Sequence, residues 1–375
     1  MDDVLQALSE TVREANTAGR ALRIRGGGTK DFYGGPLHGE PLDVRPYRGI
    51  VDYEPTELVI TARAGTPLEE IEDAMRAHGQ MLAFEPPHFD RLPSPLTAEG
   101  AGSIERLMPE KKRATLGGCV AAGLSGPRRM YAGAVRDLVL GVRLLDGEGR
   151  DLRFGGQVMK NVAGFDVSRV IAGSLGTLGV VLEASLKAIP LPPAELTVQL
   201  EMAEPSAIEA LNRWAGLPLP ITATAYCEGQ LYVRLSGAVP AVKSAQAKLG
   251  GAALGADAAQ ALWTGLREHT HPYFAEQLPL WRLSLPSATA PMNLPGATLI
   301  EWSGALRWLK SSAAPGVVRD AVARAGGHAT LFRHGDKAVG VFQPLSPALL
   351  TLHRRLKNAL DPAGIFNRGR LYPDF

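Results

Sequence analysis

Apolar residues recur every three or four positions at the start of the chain, at Val4, Leu5, Leu8, Val12 and Ala15. This spacing predicts an amphipathic helix over 2–18, stopped near Gly19. The period then shortens, and runs at 21–25, 42–44, 50–53 and 58–63 predict strands. Thr66-Pro67 opens a second helix to about His78, with Thr66 as N-cap and Pro67 at the first helical position. A strand over 80–84 ends in Glu85-Pro86-Pro87-His88. A strand over 138–145 turns at Asp146-Gly147-Glu148-Gly149 into a return strand over 151–154, a hairpin. The apolar run Val180–Ala188 predicts a buried strand.

Ile189-Pro190-Leu191-Pro192-Pro193 cannot extend a central strand and marks a domain boundary. Beyond it the pattern predicts a strand over 195–202, a helix over 205–215, strands over 221–227 and 230–236, and a helix over 240–249. A looser round follows, with helices near 257–268 and 315–325 and strands near 281–285, 298–302, 328–333 and 338–342. Two β-α-β-β units of this kind predict a ferredoxin-like antiparallel sheet with helices on one face, an α+β fold. A helix over 346–360 closes the pattern. Residues 89–113 crowd Pro, Ser, Gly and charge together, which predicts an exposed, disordered loop. Such a loop is either a tolerated insertion or a lid.

Glycine interrupts this pattern where a ligand would need room. Lys160 to Val180 carries Gly164, Gly173, Gly176 and Gly179, with Ser174 and Thr177 between the last three. Gly26-Gly27-Gly28-Thr29-Lys30 follows the strand over 21–25, and Thr115–Gly123 is a run of small residues. Bared N–H groups and hydroxyls bond phosphate oxygens, and glycine admits a close approach. Tight turns without a ligand are the alternative. None of these stretches has Walker spacing, and none is a G-x-G-x-x-G opening a helix, so a Rossmann site is disfavoured.

Composition narrows the classes. A chain of 375 residues predicts two domains. Hydrophobic residues at 45% and charged residues at 21% describe a soluble globular protein. A net charge of +2 gives no reason to expect nucleic acid. Two cysteines, Cys119 and Cys227, exclude a disulfide framework and an iron–sulfur cluster ligated by this chain alone. A reduced cytoplasmic setting follows. The acidic start MDDVLQALSE is no secretory signal, and no apolar run reaches transmembrane length.

In their order, these pieces resemble the FAD-binding domain of the vanillyl-alcohol oxidase/para-cresol methylhydroxylase superfamily. Arg25–Lys30 is similar to its first phosphate loop; Thr115–Gly118, Arg136–Gly141 and Gly173–Gly179 are similar to its second glycine-rich region. Asp361–Arg370 resembles its C-terminal return to the flavin. Pro55–Arg63, Leu124–Arg129, Arg153–Gly164 and Gly304–Leu309 narrow the resemblance to the FAD-binding (E) subunits of bacterial glycolate oxidases. The resemblance implies a two-part FAD-binding domain over 1–190, an α+β cap over 194–345, and a helix and tail over 346–375 returning to the flavin. It implies FAD contacts from Arg25, Gly26, Gly27, Gly28, Thr29, Lys30, Pro86, Thr115, Gly117, Gly118, Gly123, Arg136, Asp137, Gly173, Ser174, Gly176, Thr177, Gly179, Val180 and Asn367. It also implies oxidation of glycolate to glyoxylate beside a second flavin subunit (D) and an iron–sulfur subunit (F), in the cytoplasm or peripherally at the inner membrane through those partners. The loop at 91–113 is longer than the family's, and Asn367–Arg370 reads N-R-G-R where N-P-G-R is commoner. Covalent members carry a His in or beside the first loop; here it is Gly28-Thr29-Lys30, so non-covalent FAD is expected.

Oxidising a 2-hydroxy acid takes a cation for the carboxylate, a base for the hydroxyl and a flavin for the hydride. Arg282 on a strand, Arg307 after the next strand, and His328 are the candidates. A structural ion pair or a satisfied core histidine is the alternative for each. His269 and His271 flank Thr270, but the histidine-rich segment with a downstream Glu that metal-binding relatives use is missing, so no metal is expected. Three functions follow: an electron-transferring FAD subunit, a self-sufficient 2-hydroxy-acid dehydrogenase, or a structural subunit with a vestigial flavin site. Gly176→Val is expected to block FAD binding by invading the pyrophosphate space.

Overall fold

Leu8, Val12 and Ala15 of α1 (Asp2–Ala18) bury their shared face against Leu22, Leu42 and Phe366, as the spacing predicts. The computed structural model describes residues 2–90, 112–156, 166–373 and 375. Residues 91–111 of the loop expected over 89–113, and the Lys160–Gly164 end of the glycine-rich stretch, lie outside these residues.

β1 (Leu22–Arg25) and β2 (Glu40–Asp43) pair in parallel; β3 (Ile50–Glu54) and β4 (Val59–Arg63) pair antiparallel. α2 (Leu68–Arg76) and β5 (Gln80–Met81) follow. Next come α3 (Leu116–Ala122), α4 (Arg129–Ala132), α5 (Val135–Leu138), the hairpin of β6 (Val139–Leu145) and β7 (Asp151–Gly155), α6 (Val167–Ile171), β8 (Val180–Lys187) and β9 (Ile189–Pro190). The strand order β3-β4-β8-β6-β7 makes one antiparallel sheet. Ile60, Leu144, Ala184 and Leu186 from its inner face pack on Leu68, Ile71 and Met75 of α2 and Val120 of α3. That packing fixes α3, and with it the cleft described below.

The second sheet uses β10 (Ala194–Glu201), β11 (Ile221–Cys227), β12 (Gln230–Gly237), β13 (Ala252–Ala253), β14 (Leu280–Ser284), β15 (Ala297–Glu301), β16 (Leu306–Lys310) and β17 (His328–Arg333). Its order is β13-β10-β12-β11-β15-β16-β14-β17, antiparallel throughout the described residues. α7 (Glu204–Ala215), α8 (Val239–Leu249) and α10 (Pro315–Arg324) cover one face. α9 (Ala256–Glu268) does not join them. Its Trp263 and Leu266 lie on the opposite face, with Ala225, Leu299 and Trp308 and with Phe32 and Tyr33 of the first half. The expectation of helices on one face only is corrected in that respect.

After α11 (Pro347–Leu360) the chain returns to β1, where Phe366 bridges Leu22 in parallel and the Asn367 N–H donates to the Leu22 carbonyl at 2.9 Å. The buried Lys357 ammonium locks this return. It donates to the Asp361 carboxylate at 2.6 Å, the Thr177 carbonyl at 2.7 Å and the Phe366 carbonyl at 3.0 Å. Such a pair holds because each charge keeps its partners; losing one leaves an unpaired buried charge.

Several local expectations shift. Thr66 does not cap α2; Pro67 occupies that position, and the Thr66 hydroxyl is taken by the backbone of Gly49, at 2.8 Å from its nitrogen. Only Gln80–Met81 of the strand over 80–84 forms, because only Ile189–Pro190 lies opposite. No strand forms over 338–342: the Asp336 carboxylate accepts from the Ala338 N–H, and Lys337–Val339 is a 3-10 turn ended by Gly340 at φ +79°. Arg307 does not follow a strand but lies within β16, which is buried at every position and so lacks the alternation that marks a half-exposed strand.

Candidate cofactor and substrate site

The loop after β1 meets α3, the 175–179 turn and the C-terminal return around an open cleft of about 770 Å³. The backbone N–H groups of Gly26, Gly27, Gly28, Thr29 and Lys30 have no acceptor among the described residues. Backbone donors in a protein are otherwise almost always satisfied. Five such donors in sequence, with Gly28 at φ +69°, make a concave surface of the kind that suits an anion. Arg25, Lys30 and Arg370 line the same cleft against a single carboxylate, Asp31. Burial raises the pKa of Asp31, while Arg25 and Arg370 oppose the rise. This donor set fits the pyrophosphate of a dinucleotide, whose two charges need N–H groups and cations rather than carboxylates.

Of the residues expected to hold FAD, Arg25 to Lys30, Thr115, Gly117, Gly118, Gly176, Gly179 and Asn367 line the cleft. The others lie behind or away from it. Gly123 ends α3 at φ +66°, where a Cβ would stand 2.7 Å from the Gly173 Cα, so this glycine pair serves backbone contact. The Thr177 hydroxyl donates to the Ser174 carbonyl at 2.8 Å, and Val180 lies in the core beneath. Arg136 is exposed, and Asp137 accepts from the Ala134 N–H at 3.0 Å and pairs with Arg169. Pro86 is buried beside Pro87, which lines the second cavity described next. Asn367 is a staple as well as a lining residue: its amide accepts from the Ile24 N–H at 2.8 Å and donates to the Leu175 carbonyl at 2.6 Å. A Cβ at Gly176, itself at φ +71°, would meet that amide at 2.6 Å. Gly176→Val therefore strains the return before it reaches a pyrophosphate.

A second cavity, about 340 Å³, opens where the cap sheet faces the first half. Alternation along the strands decides which candidates reach it. Arg282 pairs with Thr330 and Trp308 across the sheet, and Trp308 and Phe332 point toward the first half. Arg282 and His328 share that face. Arg307 is one register step away and points to the other face, where it donates to the Ala290 carbonyl at 2.9 Å and to the Thr289 carbonyl. The structural alternative holds for Arg307. His269 is buried, stacked on Phe274 at 4.0 Å, and burial drives its pKa well below the usual value. The His271 Nδ1 accepts from the Tyr273 N–H, so the two histidines do not converge.

Arg282 forms no hydrogen bond or ion pair among the described residues; its guanidinium carbon stands 5.2 Å from the centre of the Trp302 ring. Arg129 of α4 likewise has no side-chain hydrogen bond or ion pair there and stands 4.3 Å from the same ring. The two charges are therefore within about 10 Å of each other, where like charges repel by roughly 1.5–2 kcal/mol at an effective dielectric near 20. Burial lowers the pKa of both, Arg129 to about 10. It also lowers that of His328, an exposed residue at the start of β17, where Arg282 and Arg129 act in the same direction. Glu301 lies beside Arg282, accepts from the Trp308 indole N–H at 2.7 Å, and is raised by burial to about 7. Below the cavity, burial pushes Glu85 up, but Arg234 at 2.8 Å and Arg128 at 3.3 Å hold it below its ordinary value and tie the two halves together.

Sequence reasoning missed Arg129, Glu301 and Trp302. Arg129 stood in a stretch quoted only for resemblance, and no short motif marks the other two. The one local signal is conformational: Trp302 and Ser303 both have positive φ, 52° and 55°.

Comparison with known proteins places these observations. A profile of the FAD binding domain matches residues 5–92, and one of the FAD linked oxidases' C-terminal domain matches residues 336–371. The glycolate oxidase subunit GlcE of Escherichia coli K12 is 46% identical over 372 residues, covering 99% of this chain and 98% of that one. The glycolate oxidase subunit GlcD of Bacillus subtilis is 39% identical over 87 residues, 23% of this chain and 18% of that one. Among solved structures, alkyldihydroxyacetonephosphate synthase shares the fold with a TM-score of 0.62 at 13% identity, covering 96% of this chain and 74% of that one.

Proposed function

The chain belongs to the family of the glycolate oxidase subunit GlcE, FAD-linked oxidoreductases, and from that premise we propose that it is the FAD-binding subunit of a complex that oxidises glycolate to glyoxylate. The row of N–H groups from Gly26 to Lys30, without acceptors among the described residues, carries this reading. These donors, with Arg25, Thr115, Gly118 and Asn367, would hold FAD by its pyrophosphate. Bound FAD supplies the two-electron acceptor that 2-hydroxy-acid oxidation needs and side chains lack. The Lys30 ammonium, within 3.4 Å of the His88 carbonyl and 5.7 Å of the Phe89 ring centre, supplies a cation where the cleft runs toward the cap. Gly28-Thr29-Lys30 offers no side chain of the kind that links flavin covalently in relatives, which supports non-covalent binding.

Residues 1–190 then form the flavin domain, 194–345 the cap, and 346–375 the return that closes the cleft. Electrons leave through a second flavin subunit (D) and an iron–sulfur subunit (F), because two cysteines cannot ligate a cluster. No helix among the described residues is long and apolar enough to cross a membrane. Any place of the chain at the inner membrane would therefore come through its partners, and otherwise it works in the cytoplasm. The test is the visible spectrum of the purified chain, alone and with its partner subunits, before and after anaerobic glycolate. Flavin bands on the chain alone are expected. Their absence both alone and in the complex would end this reading. Bleaching of the isolated chain by glycolate would make it a dehydrogenase by itself.

A further inference from the structure

We infer that Lys337 is a positioning residue for the backbone cradle of the cofactor cleft, holding the loop that follows Gly26–Lys30 by its carbonyls. Its ammonium, 305 positions downstream of the loop it grips, donates to the Phe32 carbonyl at 2.8 Å. The Arg370 guanidinium takes the neighbouring carbonyls of Asp31, Tyr33 and Gly35. One cation from the cap and one from the tail thus collect four main-chain acceptors between Asp31 and Gly35. The N–H groups of Asp31 and Tyr33 in turn donate back to the carbonyls of Gly28 and Lys30, at 3.3 and 3.0 Å. Cradle carbonyls are thereby engaged within the loop, while the N–H groups from Gly26 to Lys30 keep no acceptor among the described residues. That the ligand is FAD rests on the cofactor reading; the grip on the loop does not.

The loop is gripped from both sides. A Cβ at Gly34 would stand 2.9 Å from the Arg370 carbonyl oxygen, and one at Gly35 would collide with that of Gly369. The rings of Phe32 and Tyr33 pack on Phe332, with centres at 5.4 and 5.2 Å. Lys337 itself is half-buried and opens a 3-10 turn, Lys337–Val339, capped by the Asp336 carboxylate. The charges that act on it are Arg370 from the tail and Asp31 from the loop, with His334 and Asp336 on its own segment. Burial, and then Arg370, lower its pKa to about 8, while Asp31 opposes them. A charged donor bonds a carbonyl roughly twice as strongly as a neutral one. The grip is therefore full below pH 8 and weakens as pH rises through it. An anion on the cradle favours the protonated form, so its affinity falls with the loss of the same proton.

The experiment measures the dissociation constant of FAD from the purified full-length chain by equilibrium dialysis, at about pH 7 and about pH 9. Wild type should bind about tenfold more weakly at the higher pH. Lys337→Met should already be weak at the lower pH. Lys337→Arg stays charged, so it should match wild type at the lower pH and lose most of the pH dependence. His88, raised to about 9, and Lys30, lowered by burial, also titrate beside the cleft. Both remain in every variant, so the difference between wild type and Lys337→Arg isolates Lys337. Wild-type affinity in Lys337→Met at the lower pH, or an undiminished pH dependence in Lys337→Arg, would overturn the proposal. A second measurement needs no flavin: hydrogen exchange of the amides from Asp31 to Gly35 should be faster in Lys337→Met than in wild type and Lys337→Arg. Equal exchange in all three would sink the inference. A chain that takes up no FAD, alone or with its partner subunits, ends the cofactor reading while the exchange still decides this one. The comparison of wild type with Lys337→Arg stands even if Lys337→Met fails to fold.

Discussion

The two halves of the molecule build positively polarised surfaces in opposite ways. The cleft around Gly26–Lys30 presents backbone donors from one continuous loop, where the Thr115 side chain crowds Gly26, the Arg113 backbone crowds Gly27 and Gly28 holds a positive φ. The face around Trp302 presents side chains from α4 and β14, and its geometry depends on how two sheets dock. A backbone cradle tolerates few substitutions but draws its donors from the main chain itself. A side-chain clamp tolerates conservative change at each residue but vanishes if the docking slips.

Gly27→Val should break the first of these most severely. A Cβ at Gly27 would lie 1.6 Å from the Arg113 carbonyl oxygen, a position no rotamer can relieve. The ratio of flavin to protein absorbance should fall below about a tenth of wild type, on the order of the strain that overpacking imposes. An unchanged ratio would show that the cleft is not where flavin binds.

Lys357→Ala should come next, at about 3–5 kcal/mol of unfolding free energy, because Asp361 would keep a buried charge without its partner. Urea denaturation measures the loss. A change below about 1 kcal/mol would mean that the return is held mainly by Asn367 and its backbone bonds.

The smallest effect sharpens the side-chain half. Burial raises Glu301 from an ordinary carboxyl value of 4.5 to about 7, so the folded chain favours its neutral form. The stability this contributes is fully present below pH 4.5 and is lost as pH rises through about 7. Glu301→Gln keeps an acceptor for the Trp308 indole and should match wild type near pH 4.5 while exceeding it at pH 8 by up to ~3 kcal/mol. A pH-independent difference would place an ionised, compensated carboxylate beside Arg282.

Much of the fold was legible because period and punctuation are local. The α1 spacing, the 146–149 turn and the Pro-rich boundary needed nothing beyond neighbouring residues. β16 was not legible as a strand, since burial on both faces erases alternation. Thr66 misled because its hydroxyl is claimed by Gly49, seventeen positions upstream. Of the glycine-rich runs, Gly26–Lys30, Gly117, Gly118, Gly176 and Gly179 line the cleft, while Gly123 and Gly173 serve helix-to-turn contact and Ser174 and Thr177 bond each other.

What the amino-acid sequence settled alone was the alternation of elements, the loops able to bare their N–H groups, and a cysteine count too low for a cluster, all set by residue type and near neighbours. Tertiary structure alone decided that Arg282 faces the other half while Arg307 does not, and that Arg129 joins Arg282 over Trp302. The reason is register: side chains alternate with a period of two, and one residue's shift in pairing reverses which face each arginine reaches. That register is set by contacts between strands and sheets far apart in the chain, where no local pattern records it.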